Sequence, residues 1–162
     1  MGDIAMIAAV DQKMGIGNAN DMLFFISEDL RRFKSLTTGY PVVMGRKTYE
    51  SLPHGALPNR RNIVISGQMD LAIKDAEVVH SIDEVKALLN DVSRFFVIGG
   101  GVIYTEFMPL ATHLFLTHIE EEKEADTFFP ELDMSQWQIV ETSHREKSDK
   151  NPAYTFVDYV KR

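Results

Sequence analysis

The sequence predicts an α/β fold on a largely parallel sheet, with antiparallel strands added toward the end of the chain. Three observations carry this expectation. Short apolar runs of strand length alternate with helical stretches through the first two thirds of the chain. Two of those runs end in glycine and pass straight into a helix, at Gly45 and at Gly99-Gly100-Gly101. The last third holds strand-like segments with little helix between them.

Taken in order, Ile4 to Val10 is a continuous apolar run, as expected of a strand buried on both faces. Asp11 to Asp21, rich in Gly and Asn, is too long for a tight turn and is expected as an irregular loop, a feature often functional in compact domains. Ser27 is expected to cap a helix reaching Thr37, with Glu28 and Asp29 in its first turn. Leu30, Phe33 and Leu36 recur at helical spacing and should face the core. Pro41 to Gly45 reads as a strand, Arg46 to Leu52 as a helix, Pro53 to Asn59 as a loop and Asn62 to Ser66 as a strand. Ala76 to His80 is a strand, Ile82 to Leu89 a helix, Phe95 to Ile98 a strand, and a fourth helix runs from the glycine triplet to Met108. His113 to Ile119, Gln136 to Thr142 and Tyr154 to Val160 complete the strands. The acidic run Glu120-Glu121-Glu122 is expected as a solvated loop. No repeat or linker interrupts the pattern, so a single domain over 1–162 is expected.

Composition narrows the function. The apolar share of 44% and charged share of 25% are those of an ordinary globular chain. Seventeen Lys and Arg against 24 Asp and Glu, a net charge of −7, argue against nucleic acid as a partner, because phosphate backbones need a basic footprint. Local basic pockets for small anions remain open. The absence of cysteine removes disulfides, thiolate zinc sites and cysteine nucleophiles, and suits a reducing cytoplasm. No basic segment precedes the first apolar run and no run approaches the roughly 20 residues of a membrane helix, so neither a secretory signal nor a membrane is expected. The expected state is a cytoplasmic monomer.

Few residues invite chemistry. A helix that starts after glycine presents free N–H groups and lets a ligand approach the backbone closely, so Gly99-Gly100-Gly101 and Gly45-Arg46-Lys47-Thr48 are candidate anion sites. Neither matches a P-loop or the Rossmann spacing, and tight-turn glycines with surface cations are the ordinary alternative. Two such junctions in one α/β chain suit a phosphate-rich cofactor lying across the carboxyl edge of the sheet. Asp29, beside Phe24, Leu30 and Phe33, could accept two parallel hydrogen bonds from an amidine-like heterocycle. The alternative is an exposed acid complementing the helix dipole. His54, His80, His113, His118 and His144 show no metal-ligand spacing, and no Gly-x-Ser-x-Gly elbow occurs.

Five ordered blocks resemble the bacterial dihydrofolate reductase family over nearly the whole chain. They are Ile16-Gly17-Asn18 before Met22 with Ser27-Glu28-Asp29-Leu30 and Phe33-Lys34; Val43 to Ser51 with Leu57 to Asn62; Val97 to Gly101 with Ile103-Tyr104; Leu116 to Ile119; and Ala125 to Pro130. The resemblance implies a mixed, mostly parallel eight-stranded twisted sheet flanked by four helices. It implies NADPH-dependent reduction of 7,8-dihydrofolate to tetrahydrofolate for one-carbon metabolism, and binding of antifolate inhibitors. Asp29 would grip the pterin with Thr117 supporting it, Met22 would lie on a mobile loop over the site, and Tyr104 would stand at the reaction centre. Ile7, Ala8, Leu30, Phe33, Lys34, Leu57 and Ile98 would line the substrate pocket, and Arg60 would pair with the glutamate tail. Ala9, Ile16, Gly45, Arg46, Lys47, Thr48, Ser66, His80, Gly99, Gly100, Gly101, Val102, Ile103 and Tyr104 would hold the cofactor, with a cis bond between Gly99 and Gly100.

The chain departs from the family pattern at Met22-Leu23-Phe24-Phe25, where Leu-Pro-Trp is usual after the loop Met. It also departs at Ser27 for Pro, at Gly67 for a polar or basic residue, at the longer Pro53-His54-Gly55-Ala56, and at Ala125 for Gly. The alternatives are a related reductase of another heterocycle, such as the pyrimidine reductases of flavin synthesis, and a non-catalytic nucleotide-binding module. Asp29 together with Arg60 favours a folate.

Overall fold

The computed structural model describes residues 2–162. Its first strand, β1 (Asp3–Val10), lies inside an eight-stranded sheet because its apolar side chains have neighbours on both faces. Two short strands, β2 (Gly15–Asn18) and β3 (Asp21–Met22), follow, then α1 (Ser27–Thr37), β4 (Val42–Gly45) and α2 (Arg46–Ser51). Next come β5 (Asn62–Ile65), β6 (Glu77–Val79), α3 (Ile82–Leu88), β7 (Arg94–Val97) and α4 (Gly101–Phe107). The chain ends with β8 (His113–Ile119), β9 (Thr127–Phe128), β10 (Trp137–Arg145) and β11 (Tyr154–Lys161).

The large sheet has the order β10-β11-β8-β1-β7-β4-β5-β6. Every pairing from β8 to β6 is parallel, and β11 joins antiparallel on the far side of β8 with β10 beyond it. The expected mixed, mostly parallel sheet with four helices is what the chain forms.

Alternation along the strands divides the core in two, since successive side chains point to opposite faces. Ile4, Met6, Val43, Ile63, Phe95 and Val97 turn to one face and meet Val85 and Leu89 at α3 and Ile103, Tyr104 and Phe107 of α4. Ala5, Ile7, Val42, Met44, Val64 and Phe96 turn to the other and meet Phe33 and Leu36 of α1 and Tyr49 and Leu52 at α2. The six parallel strands therefore bring their carboxyl ends to one edge, between two pairs of helices.

Three expectations need correction. Asp11 to Asp21 is not wholly irregular: β2 pairs with β3 and with β9 in a separate three-stranded sheet, held by backbone bonds that leave no hydrophobic pattern. Ser27 is not the helix cap. That position is Ile26, which makes no side-chain cap bond but is buried against Ile119, Tyr154 and Phe156. Burying an isoleucine is worth about 1.5–3 kcal/mol, a cap bond about 1 kcal/mol, so packing sets the entry of α1. Leu30 is 43% exposed and does not join the core, whereas Phe33 and Leu36 do.

Candidate active site

Asp29 sits in the first turn of α1 and faces β8, where the Thr117 hydroxyl donates a 2.5 Å hydrogen bond to Asp29 Oδ1. Thr117 is 2% exposed and lies between Ala9 of β1 and Phe156 of β11, so the sheet fixes it from both sides. Burial pushes the Asp29 carboxyl above its ordinary value, while the Thr117 hydroxyl and the Arg32 guanidinium pull it down. The carboxylate is neither a surface acid nor half of an ion pair. Its second oxygen makes no hydrogen bond among the described residues.

Around it, Phe33, Leu57 and Ile98 pack against a cluster containing Ile7. Tyr104 reaches through the sheet and donates its hydroxyl to Ile7 O at 2.7 Å; burial holds this phenol well above its usual range. Leu30 and Met22 are exposed, at 43% and 46%, and Lys34 is exposed on α1. Ala8 and Ile16 are half-buried against the α3–α4 side of the core, and Ala9 against the small cluster of Ile26 and Phe156.

Arg60, in the loop before β5, lies at the other end of α1 from Asp29. Its Nε donates to Pro58 O at 2.8 Å and a terminal nitrogen donates to Thr37 Oγ1 at 2.9 Å. Thr37, fully buried at the end of α1, donates in turn to Phe33 O. Asn62 organises the same loop: its amide oxygen accepts from Leu57 N, and its amide nitrogen donates to the Leu57 and Arg60 carbonyls. Arg60 also lines a cavity of about 420 Å³ with Arg61 and Arg94.

The two glycine junctions are neighbours. Gly45 N donates to Gly99 O at 2.9 Å, which ties the end of β4 to the turn after β7. The Gly99–Gly100 bond is cis and Gly99 has φ +131°, a region that favours glycine. A side chain on Gly99 or Gly100 would meet Thr48 Oγ1. Gly101 differs: a Cβ there would lie 2.9 Å from Thr127 Cγ2, so this glycine admits β9 against the start of α4. Arg46 is held between Glu50 and Gln68, and His80 Nδ1 lies 2.8 Å from Ser66 O. Val102 is 71% exposed, while Ile103 and Tyr104 are buried.

The edge is bordered by the β2–β3 segment, and the connection from β8 to β9 pins that segment. Asp126 N donates to Gly17 O, and Asp126 Oδ2 accepts from Ala19 N, both at 3.0 Å. Asp11, 3% exposed, accepts from Lys13 N, Gly15 N and Lys123 N. Gln12 N donates to Glu121 O, and Lys13 pairs with Glu122. The acidic run is exposed as expected, but its backbone is part of this fastening. A Cβ on Gly15 would stand 2.9 Å from the Ala125 methyl and 3.0 Å from Asp11 Oδ1.

A half-buried acid bound to a threonine and two joined glycine turns lie toward the carboxyl ends of the parallel strands, and an arginine-bearing loop lies at their amino ends, by the far end of α1. The family model described as dihydrofolate reductase matches residues 3–161. The chain belongs to the dihydrofolate reductase family. It is 46% identical to the dihydrofolate reductase of Neisseria gonorrhoeae over 97% of each chain. It is 39% identical to that of Bacillus subtilis, covering 98% of this chain and 95% of the relative. Among solved structures, it resembles dihydrofolate reductase from Enterococcus faecalis complexed with NADP(H) and RAB-propyl. The TM-score is 0.92 at 33% identity, over 99% of this chain and 97% of that one.

The dihydrofolate reductase family uses NADPH, and the residues here suit it. Neither α2 nor α4 begins with a side-chain cap, Arg46 and Lys47 bring positive charge to the first of them, and Gly67 opens onto space with no atom within 4 Å. Of the residues that sequence reading and the resemblance singled out, the fold joins Asp29 to Thr117 and the two glycine junctions to each other, and places Arg60 against Thr37 at the other end of α1. Sequence reading passed over Asn62, Thr37 and Asp11. A buried asparagine opening a strand and an aspartate two residues before a loop lysine are the only local signs of the first and last.

Proposed function

We infer that this protein reduces 7,8-dihydrofolate to 5,6,7,8-tetrahydrofolate with NADPH, the reaction of the dihydrofolate reductase family. The observation that carries the reading is the half-buried Asp29 bonded to the buried Thr117, toward the same carboxyl edge where the two glycine junctions meet. Bound NADPH supplies a hydride, which reaches pterin C6 while N5 gains a proton.

The chain's own residues then have distinct tasks. Asp29, with one oxygen fixed by Thr117, accepts hydrogen bonds from the pterin's amidine-like edge and orients the ring. It does not adjoin N5 in this reading, so water delivers the proton and the carboxylate raises local proton affinity. Ile7, Phe33, Leu57 and Ile98 exclude bulk water, Ala8 and Leu30 lie at the margin of the substrate, and Arg60, already braced by Thr37 and Pro58, pairs with the tail carboxylate. Lys34 lies at the mouth beside that tail, and Met22 covers the ring from β3. Arg46, Lys47, Thr48, Ser66, His80, Gly100, Gly101 and Val102 would hold the phosphates and ribose of NADPH, and Ala9, Ile16, Gly45, Gly99, Ile103 and Tyr104 would border its nicotinamide. All these groups come from one chain, so the proposed reaction needs no residue from a second subunit, and the proposed state is a monomer. No helix among the described residues is long and apolar enough to cross a membrane, and the cysteine-free composition suits the cytoplasm.

The deciding experiment follows NADPH oxidation at 340 nm with and without dihydrofolate. Substrate-dependent oxidation is expected. Oxidation that responds instead to a flavin-pathway pyrimidine, or NADPH binding with no turnover of either compound, would overturn the reading.

A further inference from the structure

Lys123 lies in the connection between β8 and β9 with acids on both sides, Glu120, Glu121, Glu122, Glu124 and Asp126. A surface lysine in such company ordinarily pairs with a carboxylate, yet Lys123 forms no salt bridge among the described residues. Its ammonium instead donates to Leu23 O at 2.8 Å and stands 4.3 Å from the centroid of the Phe24 ring. Its backbone N–H donates to Asp11 Oδ2 at 3.1 Å. One residue thus grips the segment between β3 and α1 by a carbonyl and a ring face, while its backbone is anchored to the end of β1.

Phe24 transmits this grip. Its ring packs with Ala9 against the cluster of Ile26, Ile119, Tyr154 and Phe156. Ile26 is the residue that sets the entry of α1, three positions before Asp29. Met22, Leu23, Phe24 and Phe25 have no side-chain N–H or O–H with which to fasten themselves. The fastening of this segment's side chains has to come from outside it, and a cation over an aromatic face with a carbonyl beside it supplies a directional hold.

We infer that Lys123 is a positioning residue for the reductase reaction, holding Leu23-Phe24 against the site through a cation–ring contact. It touches neither reactant and acts through Phe24. The inference rests on the reductase reading, and the test separates the two. Lys123→Met keeps the length and apolar stem and removes the charge; Lys123→Arg keeps a cation that can stack and donate.

In the holoenzyme, Lys123→Met should raise the release rate of bound dihydrofolate by about two- to fivefold and slow single-turnover reduction, since an exposed cation–ring contact is worth about that factor. Amide hydrogen exchange over residues 21–25 should quicken with no matching change in the sheet. Lys123→Arg should stay near the parent in all three measurements. Parent-like release, reduction and exchange in Lys123→Met would overturn the inference, as would an arginine variant as impaired as the methionine one. A parent with no dihydrofolate-dependent oxidation would sink the reductase reading instead, and the exchange comparison would still report on the grip.

Discussion

At Asp29, burial and hydrogen bonding pull in opposite directions, and burial is the larger. A free aspartate ionises near 3.9. With the folded value above that, the native state binds the proton more tightly than the unfolded chain, so Asp29 costs stability as pH rises through the folded value toward neutral. Asp29→Asn removes this titration and keeps an oxygen for Thr117. It should melt higher than the parent at pH 7, with the gap closing as pH falls below the ordinary aspartate range. Its turnover should fall by about 10²-fold or more, as expected when two hydrogen bonds to a charged group are lost. Calorimetry and initial rates on one preparation check both signs; a less stable variant, or one with parent-like turnover, refutes the ring-anchor role. Arg60→Ala should weaken folate binding by about 1.5–3 kcal/mol and leave a tail-less pterin nearly unaffected, as titration calorimetry with the two ligands would show. Asp29 was legible as an acid among the apolar residues Phe24, Leu30 and Phe33, whereas Arg60 came only from the family resemblance. Asn62 and Asp11 were not legible, because each binds main-chain groups whose position only the folded chain defines.

Among the elements, the long apolar strands were legible almost to the residue, as β8 shows over His113–Ile119. β10 runs three residues beyond its expected end because its backbone continues to pair with β11 through Ser143-His144-Arg145, none of which is apolar. β2, β3 and β9 escaped sequence reading for the same reason. The edge formed by α2, the end of β5 and the end of β6 makes a prediction about cofactor choice. Arg46 lies there beside Gln68, with His80 near Ser66 and open space over Gly67. Arg46→Ala should lower kcat/KM for NADPH by about tenfold or more and spare that for NADH, since it removes one charge-assisted bond to the 2′-phosphate. Gly67→Ser meets no steric obstacle and should widen the preference for NADPH. Steady-state comparison of the two cofactors in parent and variants decides the matter; an indifferent parent ends it.

For the whole molecule, strand order was the least legible feature. Asp3 pairs with Arg94 and Ala5 with His113, contacts between distant segments that leave no local trace, although the family resemblance implied the sheet they build. Because the proposed site draws on groups from β1, α1, β4, β7, β8 and the loop before β5, ligands should stabilise the molecule globally. At a hundredfold excess over Kd a ligand adds about 2.7 kcal/mol, or roughly 5–11 °C in Tm for a chain of this size. NADPH should give such a shift in the parent and in Asp29→Asn, whereas dihydrofolate should give it only in the parent; scanning calorimetry would show a failure of either arm. Gly15 and Ala125, 110 positions apart, carry a consequence for descent. With the Ala125 methyl and the Asp11 carboxylate both against Gly15, a lineage that has accepted alanine at 125 has narrowed what mutation can offer at 15. Which of these positions varied first constrains which could vary afterwards, and a library randomised jointly at 11, 15 and 125 should return functional chains whose residues at the three sites are not independent.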